Sequence, residues 1–117
     1  MGRDDEETVV RASALFDGPA RAVRCAEKLV AELGEIGLGV RAGLHVGEIV
    51  QRGDDITGLA VNIAARVMDQ AAAGEVLLTK TVMDLTGGSG IGFAAAGTHE
   101  LKGVPGEFDL FRPVELG

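Results

Sequence analysis

The sequence predicts one α+β domain, with α/β as the alternative, built on four to five strands and flanking helices. Two observations carry this reading. Two long segments place apolar residues at helical spacing: Ala22, Val23, Ala26, Val30 and Leu33 in the first, and Leu59, Ile63 and Val67 beside Ala60 and Ala64 in the second. Shorter runs at 40–46, 75–79 and 108–114 are alternating or continuously apolar, which suits strands. A length of 117 residues is enough for one such domain to bury a core.

Composition narrows the function classes. Charged residues make up 25% and hydrophobic ones 46%, as in ordinary globular proteins. Four Phe and no Tyr or Trp leave the core to Ala, Val, Leu and Ile. Eleven basic against 18 acidic residues give a net charge of −7 without a basic cluster, which argues against nucleic-acid binding. Cys25 is the only cysteine, so no intrachain disulfide forms, and a reducing compartment fits. No apolar run reaches membrane-spanning length and residues 1–8 lack a signal peptide's apolar core, so the expected location is cytoplasmic with no membrane partner.

Along the chain, residues 1–8 (MGRDDEET) form a solvated, disordered acidic start, and 9–117 form the domain. Residues 9–16 are compatible with a strand. Asp17 is an expected N-cap, with Pro19 in the first turn, for a helix running to about Leu33. Arg21, Arg24, Glu27 and Lys28 face mainly outward, and Cys25 fills the edge of the apolar stripe. Val40, Ala42, Leu44 and Val46 alternate with Arg41, Gly43 and His45 in a half-buried strand, continued by 48–51. His45, with no second ligand nearby, reads as satisfied by hydrogen bonds. Gly53-Asp54 turns into the second helix, which Gly74 ends. Residues 75–79 make a strand, and Thr79 can cap a short helix through Leu85. The glycine-rich 87–92 matches no phosphate-cradle spacing and reads as a flexible loop. Strands at 93–101 and 108–114 flank a turn, Lys102 to Gly106.

Within the second helix, Asn62 and Arg66 lie four apart and share a face. Taken alone they are a solvated stripe, with Arg66 reaching Asp69 or Gln70. Together with Asp55, Gly58, Val61 and Ala65 they spell D-x-x-G-x-x-V-N-x-x-A-R. This string resembles the signature helix of class III adenylate and guanylate cyclases, bacterial and mycobacterial in type. The likeness extends over FDGPARAVRCA, VRAGLHVGEI, GEVLLTKTVMDL and HELKGVPG.

The resemblance implies a ferredoxin-like sheet with flanking helices. It gives Asn62 the role of orienting ribose and Arg66 that of stabilising the reacting phosphorus, with Asp55 reading the purine and Lys102 contacting the polyphosphate. A rigid, permanently charged fork suits phosphate oxygens. It also implies Mg or Mn as cofactor, held by two Asp. Aligning on Phe16 puts the family's second metal Asp at Val10, which coordinates nothing, and the segment bearing the first Asp has no counterpart in the residues before it. The expectation is an N-terminally truncated cyclase homology domain, inactive alone, with no metal ligands and weak ATP binding. Its partner would be a second copy or another cyclase domain, since in the family the site spans a dimer. The alternatives are a non-catalytic dimerisation or regulatory module and an intact enzyme of other chemistry, for which no base and nucleophile occur together.

Overall fold

A computed structural model describes residues 18–47, 50–53 and 55–114, with the side chains of 50–52 and 55–57 outside that description. The acidic start, the 9–16 segment with Val10, and Asp17 therefore lie outside the described residues. The order is α1 (Pro19–Glu35), β1 (Ala42–Leu44), β2 (Val50–Arg52), β3 (Asp55–Thr57), α2 (Leu59–Gln70), β4 (Val76–Thr79), α3 (Lys80–Leu85), β5 (Gly92–Glu100) and β6 (Glu107–Val114).

Four strands form one mixed sheet in the order β1-β4-β6-β5, and β2 pairs with β3 in a separate hairpin. β1 and β4 are parallel, while β4–β6 and β5–β6 are antiparallel. The α+β expectation therefore holds. Val50 and Gln51 do not prolong the preceding strand as expected: they belong to β2, which pairs antiparallel with β3 before the chain enters α2, and residues 48 and 49 lie outside the described residues.

β4 explains how the layers assemble. All four of its residues are buried, as befits an inner strand covered on both faces. Its side chains alternate: Leu77 packs with Ile63, Val67, Leu101 and Leu110 beneath α2, and Leu78 packs with Val23 and Val82 beneath α1 and α3. Each such leucine contributes on the order of 1.5–3 kcal/mol of burial. So α2 covers one face of the sheet, and α1 and α3 cover the other.

Several boundaries differ from the expectations. Gly18, not Asp17, occupies the N-cap position of α1, with Pro19 opening the helix. Cys25 is exposed rather than packed as filler. β1 is shorter than 40–46. α2 ends at Gln70, four residues before Gly74, because Ala71 turns extended to enter the core. Gly74, at φ +82, instead closes the following turn and donates its N–H to Val40 O at 2.8 Å. Leu59 is 62% exposed, so the buried face of α2 is Ala60, Ile63 and Val67. The glycine-rich loop is tied down: Ser89 Oγ donates to Thr86 O at 2.5 Å, and Arg24 Nη2 donates to the Ser89 carbonyl. β5 carries an irregularity between Ala95 and Thr98, where His99 Nε2 donates to Ala96 O at 2.8 Å.

Candidate functional site

The site is built on α2, and two glycine requirements fix that helix. Gly58 precedes it at φ +126, ψ 168, a region essentially closed to residues with a Cβ. That conformation accounts for the glycine of the D-x-x-G step. Beneath the helix runs a track of glycines four residues apart along the β1 segment. A Cβ on Gly43 would fall within the α2 backbone, against Ala64 O and Met68 N, and 2.8 Å from Met68 Cα. One on Gly39 would lie 2.8 Å from Ala73 Cβ, and one on Gly47 3.0 Å from Ala60 Cβ. The helix therefore rests on main chain, antiparallel to β1.

With Ala60, Ile63 and Val67 turned inward, Asn62 and Arg66 fall outward. They stand one turn apart, about 6 Å along the axis. Asn62 is exposed, and its N–H donates to Gly58 O at 3.2 Å, which completes the first turn. The Arg66 side chain is 41% exposed, and its Nη1 lies 3.2 Å from Asp69 Oδ2. An exposed pair of this kind is worth about 0.2–1 kcal/mol, so an incoming phosphate can displace the carboxylate.

Asp55 lies in β3 opposite Arg52, three residues before Gly58, and its side chain lies outside the described residues. Lys102 is exposed on the turn after β5. The preceding Leu101 is buried against Ile63, Val67 and Ala71, and Lys102 shares a shallow pocket of about 570 Å³ with Gln70 at the end of α2. The structure thus brings Asn62 and Arg66 together and sets Lys102 at the C-terminal end of the same helix.

His45, at the end of β1, has the hydrogen-bond partner expected of it: its Nδ1 lies 2.8 Å from Thr79 Oγ1. Burial pushes its pKa below the ordinary value. Thr79 does occupy the N-cap position of α3, but it makes no side-chain cap. Its hydroxyl serves His45 instead. The parallel register, with Leu44 opposite Leu78, places the two residues side by side. Sequence alone could not pair them before that register was known.

Among the described residues, no three His, Cys, Asp or Glu side chains converge as a metal site. The exposed guanidinium fork of Arg66 and the NH2 of Asn62 offer hydrogen-bond donors suited to an anion.

The adenylate and guanylate cyclase catalytic-domain family matches residues 20–112. A pH-sensitive adenylate cyclase of Mycobacterium tuberculosis is 36% identical over 77 residues, which is 62% of this chain and 19% of that protein. An uncharacterized protein of the same species is 35% identical over 69 residues, 56% of this chain and 24% of that one. The chain thus spans a quarter or less of these relatives. An adenylate/guanylate cyclase/hydrolase structure from Silicibacter pomeroyi superposes with a TM-score of 0.72 at 26% identity, covering 85% of this chain and 63% of that one. A guanylate cyclase domain from Catenaria anguillulae, in complex with GTP, shares the fold at TM-score 0.61 and 18% identity, covering 86% of this chain and 62% of that one.

Proposed function

Because this chain belongs to the adenylate and guanylate cyclase catalytic-domain family, we propose that it supplies the Asn-Arg side of a composite cyclase site and is inactive alone. The family reaction converts ATP to cyclic AMP and pyrophosphate. The observation that carries the reading is the outward presentation of Asn62 and Arg66 on a helix whose other face is locked to the sheet. A pair facing outward serves a nucleotide held partly by another molecule. Val10, at the second metal position, is the reason to expect no turnover from the chain by itself.

In the composite site, Asn62 orients the ribose and Arg66 places its guanidinium on the phosphate oxygens as negative charge builds there. Loss of one preorganised donor of this type costs about 3–4 kcal/mol. Lys102 meets the polyphosphate from the far end of α2, and Asp55 reads the purine. The divalent ions belong to the partner's carboxylates, and none of these roles runs through them. We place the chain in the cytoplasm; among the described residues no helix is long and apolar enough to cross a membrane.

The second reading, a non-catalytic dimerisation or regulatory module, is favoured by one observation: Arg66 already has a partner on its own helix, Asp69. One experiment separates the two. A full-length cyclase domain disabled at its own Asn and Arg, but with both metal Asp intact, is mixed with this chain and cyclic AMP is measured. The expected outcome is no product from either component and product from the mixture, removed by Asn62→Ala or Arg66→Ala without loss of fold. No gain at any ratio, with binding confirmed independently, leaves the non-catalytic module.

A further inference from the structure

We propose that a second copy of this chain docks on the outer stripe of α1, the two helices running antiparallel about Leu29. The inference concerns the face of the sheet opposite α2 and does not rest on the function proposed above. The apolar arc of α1 is wider than the sheet can cover. Val23 and Val30 are buried, but Leu29 is 51% and Ile36 71% exposed, with Cys25 exposed beside them. Cys25 and Leu29 are four apart and share one stripe of α1, and Ile36, the C-cap residue just past Glu35, adds a further exposed apolar side chain at the end of the helix. Leu33, half-buried, joins this stripe to the core.

Charge selects the occupant and its direction. Basic Arg21 and Arg24 occupy the N-terminal half of α1, Glu27 and Lys28 stand at its middle with Lys28 on the solvent flank, and acidic Glu32 and Glu35 occupy its end. The first turn holds no acidic residue and the last turn no basic one. That distribution opposes the helix dipole at both ends, so it is unfavourable for a helix standing alone. An antiparallel copy reverses the sign at each end. On the solvent flank of the stripe, Lys28 then faces the partner's Glu32 and Arg21 faces the partner's Glu35, pairs centred on residues 30 and 28, either side of Leu29. A parallel copy would set like charges together. An arbitrary apolar partner would leave the reversed charges uncompensated.

The test uses sedimentation equilibrium of the whole chain from about 1 to 100 µM, a range that brackets dissociation constants of weak dimers. The expected result is a reversible dimer that Leu29→Glu weakens at least about tenfold, a change of about 1.4 kcal/mol, with the far-ultraviolet spectrum unchanged. Lys28→Glu should weaken it as well, and adding Glu32→Lys should restore it. Oxidative crosslinking fixes the direction: Leu29→Cys in a Cys25→Ser background should link across the two-fold axis, while the unaltered chain, with its Cys25 pair held apart, should not. A monomer across the whole range, as when residues 1–17 cover the stripe instead, would overturn the proposal. So would a dimer indifferent to Leu29→Glu, or one in which the unaltered chain crosslinks through Cys25.

Discussion

At the scale of single residues, His45 makes a measurable claim. Burial holds its folded pKa below the unfolded value of about 6.5, so between the two the unfolded chain binds more protons. Stability therefore rises with pH across that window, is complete above about 6.5, and is lost as pH falls from there through the folded pKa. Urea unfolding of the unaltered chain and of His45→Gln should show this term as a difference that shrinks below about pH 6.5; a constant difference would contradict it. The Arg66–Asp69 pair makes the opposite kind of claim, since Asp69→Asn should change stability by less than about 1 kcal/mol. Asn62 and Arg66 were legible from the sequence because helical spacing alone sets two residues on one face. The use of the Thr79 hydroxyl was not, because it depends on a strand pairing between segments 34 residues apart.

At the scale of elements, packing of main chain on main chain governs α2. Gly43→Ala should cost about 1–3 kcal/mol or more, because the new methyl meets helix backbone that cannot rotate away. Gly34→Ala, inside α1 with open space around it, should stabilise by up to about 1 kcal/mol. Equal effects of the two substitutions in thermal unfolding would remove the argument for the glycine track. The existence of α1, α2 and β4 could be read from periodicity, but the end of α2 could not. Ala71, Ala72 and Ala73 are good helix formers, and only the burial of Ala71 in the core shows why the backbone leaves the helix there. Leu59 likewise matched the apolar period, yet it sits just inside the helix start, on the outward side.

At the scale of the whole molecule, the sheet separates two surfaces, α2 on one side and α1 with α3 on the other. Leu29→Glu should therefore weaken self-association while leaving any rescue of a disabled cyclase domain intact; parallel loss of both would mean that the two surfaces are not independent. An α+β domain of four to five strands was foreseeable from alternation and length, whereas the parallel β1–β4 pairing inside the sheet and the β2–β3 hairpin were not, because strand direction depends on tertiary pairing and Asp55–Thr57 carries turn-like residues and pairs only locally. The contact at Gly43 has a last consequence. Drift among the interior hydrophobics cannot lift or lower α2, because the gauge that sets its height is peptide backbone. Sequences with quite different interiors could hold the same amide and guanidinium at the same elevation. The signature of this family should thus survive in chains whose interiors have lost all other likeness, provided the glycine at position 43 remains.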